Sequence, residues 1–301
     1  MKPTLLVLAA GMGSRYGGLK QMDQFGPSGE AIIDYSIYDA IQAGFGKVVF
    51  IVREHFLETF REKFDASMGD KIQLEYVTQE LHKLPDNLKY PESRQKPWGT
   101  AHAVYMAKDA IKEPFAVINA DDFYGRDAFK TIGKYLKEDN SPNYSIVAYY
   151  LKNTLSEHGN VNRGVCSSDE NGKLIDIVEC TKIARGEDGR ITYPGQHGNL
   201  LELQDDDIVS MNMIGLKPSY FSYCEEDLIE FIRERGHEEK SELYIPKVLD
   251  NLIKSNTLSV DVLNTTSNWF GVTYPEDKPM VIQQLNDLIE QGVYPKNLWG
   301  N

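Results

Sequence analysis

The stretch TLLVLAAGMGSRYGGLKQ, residues 4–21, is the part of the chain whose reading decides the fold. Its first seven residues, TLLVLAA, are a continuous apolar run stopped by Gly11, the pattern of a strand buried on both faces of a sheet. The remainder carries Gly11, Gly13, Gly17 and Gly18, which let backbone amides come close to a ligand and take up dihedrals closed to other residues. Arg15 and Lys20 add two cations to the same loop, as a triphosphate requires. A tight strand-to-helix turn alone needs neither four glycines nor two cations. Two familiar phosphate loops do not fit. A Walker A loop is GxxxxGK[ST], but after Gly13 and Gly18 the lysine, Lys20, comes one place late and is followed by Gln21. A dinucleotide fingerprint is GxGxxG with an acid after the second strand, but Tyr16 holds the third glycine position and the second strand ends in Arg53.

Outward from this loop, helix and strand patterns alternate. Residues 30–43 carry Ile33, Ile37 and Ile41 at helical spacing, with Gly44 as a C-terminal stop. KVVFIV, residues 47–52, is a second buried strand, residues 54–67 a helix and residues 72–78 a third strand. Residues 100–111 read as helix, 115–120 as strand, 126–138 as helix and 144–151 as a fifth strand. This rhythm predicts βαβ units and a mostly parallel sheet covered on both faces. Between residues 164 and 191 the pattern changes to short strand pieces (GVCSS, KLIDIVE, RITY) separated by the turns DENG and GEDG. QHGNLLELQDDD reads as a polar loop, residues 208–216 as a strand, and 220–235, 241–253 and 276–291 as helices. There is no internal repeat, no hexapeptide pattern of a C-terminal β-helix and no Pro- or Ser-rich linker, so one decorated α/β domain is expected instead of two.

Composition narrows the partners. The chain has 301 residues, 41% hydrophobic and 26% charged, an ordinary globular balance. Lys plus Arg is 32 and Asp plus Glu is 45, a net charge of −13 that repels phosphate backbones and anionic lipid, so no nucleic-acid and no membrane partner is expected. The longest apolar run, residues 5–10, is too short to span a bilayer, and the opening MKPTLLVLAAG reads as a strand and not as a signal peptide. Cys166, Cys180 and Cys224 are odd in number and form no CxxC, which predicts reduced thiols and a cytoplasmic setting. None of the six histidines falls in a metal-ligand or nucleophile-elbow pattern, and His102 reads as a packed helix residue.

Two further segments carry chemistry. In VINADDFYG, residues 117–125, Asp121 and Asp122 directly follow an apolar strand. Ligands of open parallel sheets gather beyond the carboxyl ends of strands, so this pair is expected to face the glycine loop. Mg2+ prefers one or two carboxylates plus phosphate oxygens, and Asp121 is the expected ligand. The competing role is a helix N-cap by Asp122 or Asp127, and for Asp122 the metal and the cap stand as equal alternatives. In WGTAHA, residues 98–103, Gly99 and Thr100 open a helix and offer backbone against which a nucleobase can pack.

Together these segments resemble the nucleotide-sugar pyrophosphorylase (sugar-1-phosphate nucleotidyltransferase) family, whose opening motif is LAAGxGxR followed by a lysine. The resemblance covers most of the chain. It implies a Rossmann-like three-layer α/β/α fold on a mostly parallel mixed sheet. Residues 1–301 would form one domain, with a nucleotide-binding half at about 1–125 and a sugar-binding half at about 126–301. It also implies that Arg15 and Lys20 handle the phosphates and that Ala10, Gly11, Gly13 and Ser14 bind the nucleotide. Gln79 with Gly99 and Thr100 is similar to the base-reading set of the N-acetylglucosamine-1-phosphate uridylyltransferases and glucose-1-phosphate thymidylyltransferases. Gly164, Glu179, Lys182 and Asn212 fall where the family contacts the sugar phosphate. SELYIPKVL, residues 241–249, is similar to the uridylyltransferase segment EYYLTDI, and GVTYPEDK, residues 271–278, to the closing motif GV[ND]xPED.

The cofactor so implied is Mg2+, with Asp121 as its first ligand. The family's second ligand is Asp or Asn, whereas this chain has Thr273 there and Asp277 nearby. Residues 81–97 form an insertion between Gln79 and Gly99, expected to be a lid or a specificity loop. The reaction implied joins UTP or dTTP to a sugar 1-phosphate and releases pyrophosphate. The rivals are a CTP:phosphocholine-type cytidylyltransferase, a regulatory protein that binds nucleotide sugar without turnover, and, more distantly, a dehydrogenase.

Overall fold

The computed structural model describes residues 1–11, 22–156, 159–195, 199–272 and 275–300. Strands β1 (Thr4–Leu8), β2 (Lys47–Val52), β3 (Gln73–Thr78) and β4 (Phe115–Asn119) run parallel in the order β3-β2-β1-β4. The continuous apolar run of β1 is explained by its two covered faces. Leu5 and Val7 enter a core shared with α1 (Ile32–Gln42), α2 (Leu57–Met68) and α4 (Arg126–Glu138). Leu6 enters the opposite core, with α3 (Thr100–Tyr105), α5 (Tyr220–Arg235) and α6 (Ile245–Lys254). Each fully buried leucine of this kind contributes roughly 1.5–3 kcal/mol, and either face would lose its seal with a polar side chain there. After α1 the chain turns at Gly44, whose φ of +87° is costly for other residues, and Phe45 N–H then bonds Ala40 O at 3.0 Å.

Beyond β4 the sheet becomes mixed. β11 (Ile208–Leu216) lies antiparallel to β4, and on its other edge pairs with β6 (Tyr144–Tyr150), which in turn pairs in parallel with β12 (Val260–Thr265). Past the β11 end, β7 (Val161–Ser168), β8 (Leu174–Arg185), β9 (Ile191–Pro194) and β10 (Leu200–Leu203) extend the sheet in antiparallel steps. Only β8, β10 and β11 run against the rest of this sheet among the described residues. A short ribbon pairs β5 (Asp122–Phe123) with β13 (Phe270–Gly271). Helix α7 (Lys278–Glu290) and the segment after it close a third core over α1. There Tyr294 donates to Asp39 at 2.5 Å and Trp299 Nε1 to Asp34 at 2.8 Å. No helix among the described residues is long and apolar enough to cross a membrane.

Several sequence expectations need correction. Residues 200–203, expected in a polar loop, are β10, an edge strand whose Leu200 is 70% exposed, so no buried side marked it. Residues 260–265 were not expected as a strand, because Asp261 and Asn264 break the apolar run. Asp261 accepts from Tyr135 and pairs with Lys173. The helix expected over 241–253 starts at Ile245: Leu243 is held extended, donating its N–H to Trp98 O and accepting from Ala101 N–H. The helix expected over 100–111 keeps α geometry only to Tyr105 and tightens into a 3-10 turn, Met106–Lys108.

The insertion at residues 81–97 is not a free lid. Leu84, Leu88 and Tyr90 pack on the second core. Arg94, 2% exposed, donates to the carbonyls of Lys96, Pro97, Glu238 and Ser241 and lies 3.6 Å over the Trp98 ring. Arg94→Ala strands these carbonyls and removes the stack. It should cost roughly 3–5 kcal/mol of stability, read as a lowered urea midpoint.

Candidate active site

The parallel order places a topological switch point between β1 and β4, since the chain leaves β1 toward β2 and β3 and returns on its other side as β4. Crevices of this kind, beyond the carboxyl ends of strands, are where open α/β sheets bind ligands. The registers set Leu8 beside both Ile51 and Asn119, and Ile51 and Val52 beside Val77 and Thr78. Backbone bonds hold the next residues in line: Ala9 N–H to Ile51 O (2.8 Å), Ala120 N–H to Leu8 O (3.1 Å) and Gln79 N–H to Val52 O (2.9 Å). Ala10, Gly11, Gln79 and Asp121 therefore emerge along one sheet edge. Among the described residues, a Cβ built on Gly11 would meet nothing within 4 Å. Gly13, Ser14, Arg15 and Lys20 continue from Gly11 and lie outside the described residues, as does Thr273.

The two adjacent aspartates differ. Asp122 accepts from Asn119 Nδ2 at 2.9 Å, inside the turn that leaves β4. Its Oδ1 also abuts Gly271 in the β5–β13 ribbon, where a Cβ would stand only 2.6 Å away and would push the carboxylate aside. The N-cap position of α4 belongs to Gly125 and not to Asp122 or Asp127. Asp127 instead accepts from Thr265 Oγ1 and Thr266 N–H. Asp121 is half-buried at the strand end. The ribbon sets Gly271 opposite Asp122.

On the β3 side, Gln79 is 5% exposed. Its Nε2 lies 3.1 Å from Gly99 O and 3.1 Å from Nδ1 of His102, whose Nε2 lies 2.7 Å from Lys83 O. Gly99 has a φ of +101°, and a Cβ there would stand 2.3 Å from Leu243 O, so close backbone packing demands glycine. Thr100 does not cap its own helix; its Oγ1 accepts the Ile245 N–H and caps α6. His102 is fully buried, and burial holds its pKa down to about 4. A base whose folded pKa is depressed contributes stability that is present above its unfolded value, near 6.5, and lost as pH falls toward 4. The stability gap between the protein and its His102→Asn variant should therefore narrow by about 3 kcal/mol between pH 7 and pH 4. Denaturant melts at both pH values check this.

The remaining candidates lie on β7, β8 and β11. Gly164 pairs with Glu179 on one side and Ser210 on the other, and a Cβ at Gly164 would press within 2.8 Å of Ile177. Asn212, with φ of +62°, sits at the irregularity in β11 just before Ile214, the residue level with Val117 of β4. Lys182, with φ of +57°, stands farther along β8, its N–H donating to Asn162 Oδ1. Two of the sugar-site candidates thus hold left-handed backbone, which ordinary side chains adopt only where the surroundings enforce it. Glu179, Lys182 and Asn212 are exposed.

A cavity of about 1300 Å³ lies between α7, the start of α4 and the start of β7, lined by Arg126, Asn153, Arg163, Trp269 and Asp277 among others. Of the described residues singled out for the metal, Asp277 lines it and Asp121 does not; Gln79 and the sugar-site candidates do not line it either. This cavity is thus a different place from the strand-end crevice that register brings together. Among the described residues no group of three His, Cys, Asp or Glu side chains stands ready to hold a metal ion. The residue whose part the sequence did not reveal is His102, because only the fold brings Gln79 against it.

The model of the nucleotidyl transferase family matches residues 4–277. In structure the chain is similar to the inositol-1-phosphate CTP transferase from T. maritima, at 16% identity over 96% of this chain and 97% of that one, with a TM-score of 0.63. It is also similar to a UDP-glucose pyrophosphorylase complexed with UDP-glucose, at 17% identity over 95% and 99% of the two chains, with a TM-score of 0.62. At such identities the likeness is one of fold. No curated protein matches the chain significantly in sequence.

Proposed function

The chain belongs to the nucleotidyl transferase family, and we propose that it transfers the nucleotidyl group of UTP or dTTP to a sugar 1-phosphate, giving a nucleotide sugar and pyrophosphate. The observation that carries this reading is the alignment of Gly11, Gln79 and Asp121 along the carboxyl ends of β1, β3 and β4. A glycine-opened loop, an amide and a carboxylate then share one crevice, matching phosphates, base and metal in turn.

An oxygen of the sugar phosphate attacks the α-phosphorus. The new O–P bond forms as the bond from the α-phosphorus to the bridging oxygen breaks, and pyrophosphate leaves with that electron pair. The attacking phosphate is ionised near neutral pH, so no general base is needed. That agrees with His102, the histidine against Gln79, being buried and neutral. Catalysis is then positioning plus charge stabilisation. Arg15 neutralises charge on the triphosphate and Lys20 holds the α-phosphate side. Ala10, Gly11, Gly13 and Ser14 supply backbone around the phosphates, and Gln79 with Gly99 and Thr100 reads the base. Gly164, Glu179, Lys182 and Asn212 form the acceptor side.

The half-buried carboxylate of Asp121 has the hard oxygen chemistry that Mg2+ takes, and an ion that fills its remaining positions with phosphate oxygens and water needs no three-residue cage. Asp121 would hold it, with Thr273 or Asp277 completing the protein's share. Mg2+ would draw charge from the phosphate oxygens.

Pyrophosphate release with Mg2+, run with each of UTP, dTTP, CTP, ATP and GTP against hexose 1-phosphates, hexosamine 1-phosphates and phosphocholine, tests the reading. Release with UTP or dTTP and a sugar 1-phosphate is expected. Release confined to CTP and phosphocholine moves the assignment to a cytidylyltransferase. Silence with nucleotide sugar still bound assigns a binding role.

A further inference from the structure

The insertion and helix α3 meet the base-reading amide at one buried histidine. Lys83 O can only accept, so the His102 nitrogen 2.7 Å from it, Nε2, carries the ring hydrogen. The Nδ1 of a neutral ring then has only a lone pair, and the Gln79 atom 3.1 Å from it must be a donor, the amide nitrogen. The same nitrogen lies 3.1 Å from Gly99 O, a second acceptor. Both amide hydrogens are thereby spent, and the Gln79 oxygen is the atom left for a ligand. A turned-over amide would set its oxygen against two acceptors, Gly99 O and the His102 Nδ1.

We propose that His102 is a positioning residue which locks the Gln79 amide with its oxygen toward the base, so that the site accepts a pyrimidine carrying a hydrogen on N3. This rests on the reading that Gln79 contacts the base. Uracil and thymine donate that N3–H. Cytosine presents a lone pair at N3, which faces the Gln79 oxygen in repulsion. The insertion, which supplies Lys83, acts in base choice through His102 and touches no substrate.

Two substitutions separate the halves of the lock. Counted along the side chain, Asn places its Oδ1 where His has Nδ1, and Gln places its Nε2 where His has Nε2. His102→Asn thus keeps the acceptor for Gln79 and loses the Lys83 bond; His102→Gln keeps the Lys83 bond and loses the acceptor. The ratio of kcat/KM for UTP to that for CTP should fall about tenfold in His102→Gln and stay within about threefold of the parent in His102→Asn. An unchanged ratio in His102→Gln overturns the proposal, because Gly99 O then suffices. An equal fall in both variants also overturns it and assigns His102 to packing alone. Gln79→Leu serves as the control: if it leaves the ratio unchanged, the base-reading assignment itself fails. Should the variants not fold, the parent decides, since its His102 ring nitrogens must report the Nε2–H tautomer by 15N NMR at neutral pH. The Nδ1–H tautomer would overturn the lock.

Discussion

Asp121→Asn is expected to lower kcat/KM by about three orders of magnitude with the fold unchanged. The substitution keeps size and shape while removing the negative charge at the carboxyl end of β4. Asp121 is half-buried at the carboxyl end of β4, and its neighbour Asp122 accepts from Asn119 Nδ2 in the turn. On the proposed reading the charge of Asp121 serves ligand binding. In the proposed reaction it would hold the ion that offsets negative charge on the reacting phosphates. Steady-state pyrophosphate release, with a thermal melt on the same sample, gives both quantities. A loss of activity without a change in melting temperature is the expected pair. A variant that turns over near the parental rate would move the metal site elsewhere, with Asp277 the first alternative.

Arg15→Ala should lower kcat/KM by about two to three orders of magnitude, again with folding intact. The triphosphate carries several negative charges, and the chain as a whole, at −13, repels it. Binding therefore depends on local cations, and only Arg15 and Lys20 occur in the glycine-rich loop after β1. A guanidinium offers paired donors to two phosphate oxygens, so Arg15→Lys should recover only part of the loss. Near-parental turnover in Arg15→Ala would remove the mechanism proposed for the loop. The same steady-state assay, read separately as kcat and KM, shows whether the cation acts on the ground state, on the transition state or on both.

Much of the architecture was legible in the sequence because it is written in side-chain burial. TLLVLAA and KVVFIV lie between two cores and show it as unbroken apolar runs, and residues 126–138 and 220–235 keep their helical bounds. What failed to show was structure held by partners remote in sequence. β10 is an edge strand with exposed leucines, and β12 carries an aspartate whose partners, Tyr135 and Lys173, come from other elements. The start of α6 depends on Leu243 bridging Trp98 and Ala101, a contact across more than 140 residues of chain.

The site divides along the same line. That Gly11, Gln79 and Asp121 lie together was legible because each directly follows a strand-like run, and strand ends in a parallel sheet share an edge. Asp122 and Thr100 were harder to interpret, since their partners, Asn119 in the turn and the Ile245 N–H, are set by local geometry and by a distant helix. His102 carried no signal at all. Its importance arises from Lys83 on one side and Gln79 on the other, 19 and 23 residues away. The insertion, expected to be a lid or a specificity loop, is pinned by the buried Arg94, whose four backbone partners no local pattern announces.

The most direct test of nucleotidyl transfer follows the phosphorus. The enzyme is incubated with Mg2+, a sugar 1-phosphate and UTP or dTTP labelled at either the α- or the γ-phosphate. The account predicts α-label in the nucleotide sugar and γ-label in pyrophosphate, in equal amounts. γ-Label in the acceptor, or release of labelled orthophosphate without nucleotide sugar, would contradict attack at the α-phosphorus and with it the function proposed for this chain.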